Sequence, residues 1–309
     1  MRTARRLAAV FVAVALLGFL ASCTHGASTA APYPRDHSPP GPSRNAIRPS
    51  PLPSLPVPSY VSGLGSGWAL TFDAGFTGSR LDTSVWATCY PWEAEDGCTN
   101  FGNPDEREWY VPSQDQVYGG ALHLEARRTS TAGLASNGSP KEYGYRSGMV
   151  TTFPSYKFQY GYVQVVARIP YATGLWPALW LAASDERWPP EIDIVEHYGT
   201  QAQYYQHLHS VNYPVQEAAE STENLSAGWH VFGLYWSPSS VTWFVDGHQV
   251  LSTSQGVPQQ SMYFIANLAV YQPVAAGWTQ QSADMEIQSV KVWQGKSYPV
   301  AGRQASASG

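Results

Sequence analysis

The segment Glu191-Ile-Asp-Ile-Val-Glu196 constrains the fold of this chain more than any other stretch. Its three β-branched residues favour extended backbone, so we predict a β-strand here. Side chains alternate between the faces of a strand, which places Glu191 and Asp193 on one face and Glu196 on the other. A β-bulge at Ile194 and Val195 would absorb one residue and return Glu196 to the first face. The sequence therefore predicts a bulged strand that presents three carboxyl groups on one side.

Three carboxyl groups this close together suit the chemistry of glycoside cleavage. The chain is otherwise poor in charge, with 13% Asp, Glu, Lys and Arg. A retaining glycosidase uses a carboxylate nucleophile and a protonated carboxyl group roughly 5–5.5 Å apart. Crowded carboxyl groups cannot all ionise, so the pKa of at least one is raised. The alternative is the exposed face of an ordinary amphipathic strand, but such faces usually include Lys, Arg or Thr.

The Glu-x-Asp-x-x-Glu pattern resembles the signature of glycoside hydrolase family 16, in the bulged form of its laminarinase-like members. Residues 174–180 are similar to the Gly-x-Trp-Pro-Ala-x-Trp segment that precedes the catalytic strand in this family. Residues 229–236 and 241–248 resemble the hairpin that follows it. The resemblance extends from about Trp68 to Trp293.

This resemblance implies an endo-acting β-glycanase that hydrolyses β-1,3-glucan, or mixed β-1,3-1,4-glucan, by a retaining double displacement. Glu191 would be the nucleophile, Asp193 its electrostatic partner and Glu196 the general acid/base. The implied fold is all-β, with two antiparallel sheets in a concanavalin-like jelly roll that carries a concave substrate cleft. Rival interpretations are a galactan-cleaving relative, a transglycosylase and a lectin-like binding module. A module that only binds gains nothing from three crowded carboxyl groups.

Strand signals elsewhere in the chain agree with an all-β sandwich or jelly roll. Residues 241–245 and 248–251 flank Asp246-Gly247, which predicts a hairpin with a type I′ turn. Alternating or β-branched runs predict further strands at residues 122–126, 162–169 and 285–293.

Several residues match family positions near the cleft and are candidates for substrate contact: Trp176, Trp180, Glu106, Trp109, His209 and Asn267. The register around Glu106 and Trp109 is blurred by the interposed Pro104-Asp105. After Asn267, bulky Tyr271 and Gln272 replace the family's Gly-Gly at the expected rim of the cleft, which leaves the substrate class open.

His207 and His209 are two residues apart and so share one face of a predicted strand. The resemblance implies that His209 faces the cleft. The alternatives are a buried structural histidine and a metal pair. The metal interpretation is weak because no third ligand is nearby in the sequence.

The amino terminus has the pattern of an export signal. A basic start is followed by an apolar run too short to span a bilayer, ending in Leu20-Ala-Ser-Cys23, which resembles a bacterial lipobox. We expect a lipoprotein-type signal peptide at residues 1–22, lipidation of Cys23, and an exported protein, extracellular or anchored on the outer face of the membrane. Ordinary signal cleavage near the same place is the alternative.

Composition divides the rest of the chain. Residues 23–59 are rich in Pro and Ser, which predicts a disordered, semi-rigid linker. Residues 60–298 have a globular composition and the length of one large β domain, which we take as the catalytic domain that the resemblance implies, and the small, polar residues 299–309 predict a disordered tail.

The remaining cysteines, Cys89 and Cys98, predict a disulfide in an exported protein. We expect no cofactor and no metal, because Gly75 and Gln288 stand where calcium-binding relatives carry acids. The net charge of −5 without a basic patch argues against nucleic acid. The expected partner is a β-glucan polysaccharide or oligosaccharide, bound by a monomer whose only membrane contact is a lipid anchor.

Overall fold

The computed structural model describes residues 67–92, 97–198, 203–221 and 227–296. The predicted signal peptide, Cys23, the linker and the tail all lie outside these residues, as do both ends of the predicted catalytic domain. Within the described residues, no helix is long and apolar enough to span a lipid bilayer.

The described part of the chain is almost entirely β-structure. Its first nine strands are β1 (Trp68–Gly75), β2 (Glu108–Tyr110), β3 (Asp115–Tyr118), β4 (Ala121–Arg127), β5 (Thr131–Leu134), β6 (Pro140–Tyr143), β7 (Tyr145–Ser147), β8 (Met149–Thr151) and β9 (Gly161–Arg168). They are followed by β10 (Leu175–Ala183), β11 (Glu191–Glu196), β12 (Gln203–His209), β13 (Gln216–Ser221), β14 (His230–Trp236), β15 (Val241–Val245), β16 (His248–Thr253), β17 (Met262–Val270) and β18 (Ser282–Gly295). Short 3₁₀ helices span Pro112–Gln114 and Gln272–Gly277.

Two large sheets make up the architecture. The larger has the order β16-β15-β14-β9-β18-β4-β7-β2, with β1 added at β18 and β3 at β4. The smaller has the order β13-β12-β11-β10-β17-β8, so the predicted catalytic strand β11 lies inside it and is paired on both sides. This arrangement confirms the predicted all-β sandwich. Two details differ from a purely antiparallel two-sheet fold: β2 and β7 pair in parallel, and β5 and β6 form a separate hairpin.

The core fills the space between the two sheets. Inward-facing residues of both sheets form one apolar cluster, which includes Ile192, Ile194 and Val195 of β11. From the opposite sheet, the indole N–H of Trp243 donates a hydrogen bond of 2.8 Å to the backbone carbonyl of Asp193. The core therefore fixes the backbone of β11 from below, while the other face of this strand carries its acids.

The predicted hairpin is confirmed at β15 and β16. Asp246 and Gly247 have φ values of 51° and 82°, as a type I′ turn requires at both central positions. The three other predicted strands correspond to β4, β9 and β18, and β9 ends at Arg168, one residue before the predicted end.

The structure contains the predicted disulfide between Cys89 and Cys98, whose Cα atoms are 5.8 Å apart. Cys98 also exchanges two backbone hydrogen bonds with Tyr110 in β2. The disulfide therefore ties the segment around Cys89 to the edge of the larger sheet.

Candidate active site

The predicted bulge is present in β11. Asp193 pairs with His207 and Glu196 with Tyr205, so two residues of β11 lie opposite Gln206 alone. On the other side, Val195 pairs with Leu179 and Asp193 with Trp180, which leaves Ile194 as the extra residue. The bulge returns Glu196 to the face that carries Glu191 and Asp193.

A cleft of about 520 Å³ lies over this face of the smaller sheet. All three acids of β11 line it, together with side chains from the neighbouring strands β10, β12 and β17. The loop between Asn100 and Glu106 forms another part of the lining. The three carboxyl groups therefore share one substrate-sized cavity.

Glu191 lies at one end of the acid row and is partly accessible, with 18% of its side chain exposed. Burial, followed by the charge of Asp193, raises the pKa of Glu191 well above its usual range. The charge of His209 and a side-chain hydrogen bond with Trp188 oppose that rise. The Nε2 atom of His209 is 3.6 Å from Oε1 of Glu191.

Asp193 lies between the two glutamates and is almost fully buried. Its Oδ2 atom is 3.3 Å from Nε2 of His209 and 3.9 Å from Nδ1 of His207. Burial, and then the charge of Glu196, raises the pKa of Asp193 well above its usual range.

Glu196 lies at the other end and receives three hydrogen bonds or close contacts. The indole N–H of Trp176 donates to Oε1 at 2.8 Å, and the hydroxyl of Tyr198 donates to Oε2 at 3.3 Å. The Nδ1 atom of His207 is 2.7 Å from the same Oε2. These groups hold the carboxyl in one orientation at the cleft surface.

The two histidines of β12 have different neighbours. His209 lines the cleft, as the resemblance implied. Both ring nitrogens of His207 are hydrogen-bonded to carboxyl groups, Nδ1 to Glu196 and Nε2 to Glu217. Asp193, His207 and His209 each place one possible metal-ligand atom within 4.8 Å of the other two. Because neither nitrogen of His207 is available, we assign no metal to this group.

Most of the predicted substrate-contact residues lie together. Those that line the cleft are Trp176, Trp180, Glu106, His209 and Asn267. Asn267 accepts a hydrogen bond from the indole of Trp180 at 2.8 Å and donates to the hydroxyl of Tyr110 at 3.0 Å. That hydroxyl in turn donates to Glu106 at 3.1 Å. This chain of hydrogen bonds connects the floor of the cleft with the loop on its wall.

The structure does not place Trp109 at the cleft, which corrects one of the predictions. Successive residues of β2 face opposite ways, so Tyr110 points toward Asn267 while Trp109 points away from it. The buried indole instead packs against Tyr143 of β6, with ring centroids 5.1 Å apart. Trp109 therefore joins the small β5–β6 hairpin to the larger sheet.

Tyr271 and Gln272 are also absent from the described cleft lining, although we predicted them at its rim. Tyr271 packs against Trp176 in an edge-to-face arrangement, with ring centroids 5.5 Å apart. Gln272 accepts a hydrogen bond from Arg107. Tyr271 therefore supports a residue of the cleft, whereas Gln272 contacts a residue outside the described lining.

A second pair of acids, Glu106 and Glu108, lies outside the row formed by Glu191, Asp193 and Glu196. Burial and the neighbouring charge of Glu108 raise the pKa of Glu106 well above its usual range. Burial likewise raises the pKa of Glu108, which accepts the backbone N–H of Val270 at 2.6 Å. Glu106 faces the cleft, whereas Glu108 fastens the loop to β17.

Two exposed tryptophans, which the sequence did not single out as cleft residues, also line the cleft. Trp92 is 39% exposed and stacks on buried Tyr90 at 4.8 Å. Trp188 is 69% exposed and lies beside His209, with ring centroids 5.8 Å apart. In the sequence, only the position of Trp188, three residues before Glu191, indicates that it lies near the cleft. Nothing local marks Trp92 except its place inside the disulfide loop.

Comparison with known proteins places this geometry in a family. Residues 105–293 match the family described as glycosyl hydrolases family 16. An endo-1,3-1,4-beta-glycanase, EglC, of Rhizobium meliloti (strain 1021) is 32% identical over 218 residues, which cover 65% of this chain and 46% of that protein. A glucan endo-1,3-beta-glucosidase A1 of Niallia circulans is 28% identical over 274 residues, covering 74% of this chain and 38% of that protein. The chain thus spans less than half the length of these curated relatives.

Solved structures give the same result for the fold. The catalytic domain of an endo-1,3-beta-glucanase (laminarinase) from Thermotoga petrophila RKU-1 superimposes with a TM-score of 0.65 at 27% identity, covering 74% of this chain and 98% of that domain. The family match includes the bulged acid strand, the strands around it and most of the cleft. This chain belongs to glycosyl hydrolases family 16.

Proposed function

We propose that this chain is an exported endo-β-glucanase that hydrolyses β-1,3-glucan or mixed β-1,3-1,4-glucan with retention of configuration. The observation that carries the proposal is the row of Glu191, Asp193 and Glu196 on one face of a substrate-sized cleft. Relatives described as endo-1,3-1,4-beta-glycanase and glucan endo-1,3-beta-glucosidase support the substrate class.

In the first step, the carboxylate of Glu191 attacks the anomeric carbon while Glu196 donates its proton to the departing glycosidic oxygen. The C–O bond breaks with its electron pair on that oxygen, and a covalent glycosyl-enzyme forms. The contacts from Trp176 and Tyr198 keep the carboxyl of Glu196 oriented toward the leaving group. Glu191 is the more exposed of the two glutamates, which suits a group that must reach carbon.

In the second step, the carboxylate of Glu196 accepts a proton from a water molecule as its oxygen attacks the anomeric carbon. The bond to Glu191 breaks, the sugar is released with its original configuration, and Glu196 is protonated again. Asp193 forms no bond to the substrate. Its carboxyl group lies between the two glutamates along the strand, where it is the electrostatic partner of Glu191.

Glucan recognition rests on flat aromatic and amide groups. Trp92 and Trp188 offer exposed indole faces, which stack on the C–H faces of sugar rings. The amide of Asn267 and the carboxyl of Glu106 provide hydrogen-bonding groups at the cleft surface for sugar hydroxyls.

The test is release of reducing ends from a panel of β-1,3-glucan, mixed-linkage glucan, agar, carrageenan and galactan. We expect β-1,3-glucan to be the best substrate and the first product seen by NMR to have the β configuration. A Glu191→Gln variant is the matched control for a contaminating activity. A first product of α configuration would contradict retention, and preference for a galactan would contradict the substrate class.

A further inference from the structure

The imidazole of His207 lies between two carboxyl groups, only one of which belongs to the proposed catalytic row. Its Nδ1 is 2.7 Å from Oε2 of Glu196, and its Nε2 is 3.0 Å from Oε2 of Glu217. Glu217 lies on β13, the edge strand of the smaller sheet, and 55% of its side chain is exposed. A continuous hydrogen-bonded path therefore runs from the proposed acid/base to solvent at the sheet edge.

His207 does not line the described part of the cleft, and only 7% of its side chain is exposed. Charged and titratable groups face it from every neighbouring element: Glu196 and Asp193 of β11, Tyr198 just beyond it, Glu217 of β13, and Tyr205 and His209 of its own strand. The acids among them outnumber the one other histidine, so the local field favours a proton on the ring.

We propose that Glu196 and His207 share one proton, so that His207 is a positioning residue that keeps the acid/base supplied with a proton at alkaline pH, with Glu217 holding the ring from the solvent side. This inference rests on the proposed function for its catalytic meaning. The hydrogen-bonded pair itself is a property of the fold.

The proton balance of the cycle follows from this pairing. Before the first step the pair holds one proton, either on Glu196 beside a neutral His207 or on His207 beside a carboxylate. Glu196 gives this proton to the leaving oxygen, which leaves a carboxylate beside a neutral imidazole. In the second step the attacking water returns one proton to Glu196, and the pair regains its starting state. No other proton donor is needed.

The protonation of His207 supports the pairing. Burial alone would favour a neutral ring, but the hydrogen bond to Glu196 and the charges of Glu196 and Asp193 outweigh it and raise the pKa of His207 to about 9. Two groups coupled this closely lose their protons in steps that belong to the pair. The one-proton state thus persists to a higher pH than an isolated glutamate would hold its proton.

The first test is the pH profile of kcat/KM for the wild type, His207→Gln and Glu217→Gln. Glutamine keeps a hydrogen-bond donor beside Glu196 but cannot carry a titrating proton. We expect the alkaline midpoint of His207→Gln to fall by about one pH unit or more, and that of Glu217→Gln to fall by less. A purely structural role would lower the rate at every pH without moving the midpoint. A midpoint of His207→Gln equal to or above that of the wild type overturns the proposal.

His230→Gln is the matched control, because His230 also contacts an acid, Asp246 at 2.8 Å, but lies on β14 of the larger sheet. Its alkaline midpoint should equal that of the wild type.

The second test does not need hydrolysis. The His207 ring is titrated by NMR in the wild type, in Glu217→Gln and in Glu196→Gln. We expect a midpoint near 9 in the wild type and lower midpoints in both variants. A wild-type His207 that titrates at its ordinary value, or that is unaffected by Glu196→Gln, overturns the pairing. If the wild type hydrolyses no glucan, the proposed function fails, and the NMR titration alone decides the pairing.

Discussion

Glu191 and Glu196 line the same cleft but have different partners, and this difference predicts opposite responses to the same truncation. Glu191→Ala removes the group that bonds to carbon, so hydrolysis should be lost. Azide can enter the vacated space and attack instead, which should give a glycosyl azide of inverted configuration. NMR of the azide product is the measurement.

Glu196→Ala removes the proton donor but leaves the nucleophile in place. Polysaccharide hydrolysis should fall by about 10²–10⁴-fold, while the first step with an aryl glycoside of an acidic phenol should be largely kept. The burst of phenol measures that step. Asp193→Asn should lower the rate of hydrolysis less than either glutamate change, because Asp193 neither forms a bond to the substrate nor transfers a proton to it. An inverted azide product from Glu196→Ala, and none from Glu191→Ala, would exchange the two roles.

The disulfide loop between Cys89 and Cys98 should make a measurable contribution to the free energy of unfolding. The bond joins residues nine positions apart and closes a short loop beside β2. On the chain-entropy model, a loop of this size contributes about 2–3 kcal/mol to the free energy of unfolding. The Cys89→Ser/Cys98→Ser double variant should lose about that amount in denaturant titrations. Unchanged stability, compared with wild type that has not been reduced, would show that the loop is already fixed by its backbone contacts.

The same loop presents Trp92 to the cleft. Trp92→Ala removes an exposed stacking face, so KM for longer glucan oligosaccharides should rise about three- to tenfold while kcat changes little. Trp92→Phe should keep most of the affinity. Tyr213→Ala is the control, because Tyr213 is 49% exposed and is not part of the described cleft lining. An equal rise in KM for both alanine variants would remove Trp92 from the binding site.

At the scale of the whole molecule, the proposed export depends on Leu20-Ala-Ser-Cys23, which lies outside the described residues. A lipidated Cys23 would carry more buried CH₂ groups than one myristoyl chain, enough for stable anchoring. Cys23→Ala should therefore move the protein from the detergent phase to the aqueous phase in a detergent two-phase separation. Equal partitioning of the wild type and the variant would contradict the anchor and leave ordinary secretion.

The bulge and the acid row could be predicted because they depend on alternation along one strand, and the sandwich because several strand signals and the family resemblance agreed on it. Contacts between different strands could not be predicted this way. Trp109 and Tyr110 are adjacent aromatics, and only the register of β2 decides which of them faces Asn267. The contact between His207 and Glu217 likewise depends on the pairing of β12 with β13, and their spacing in the sequence carries no signal for it.

The bulge at Ile194 and Val195 adds one residue to β11 without changing the face on which the later side chains lie. Two residues occupy the place of one in the alternation of faces, so the chain before and after them stays in phase. In a regular strand, losing one residue would turn every later side chain over. Losing Ile194 would instead keep both glutamates and Asp193 on the cleft side, at the expense of one buried branched side chain in the core. A one-residue deletion in this strand would therefore leave its acids on the cleft side.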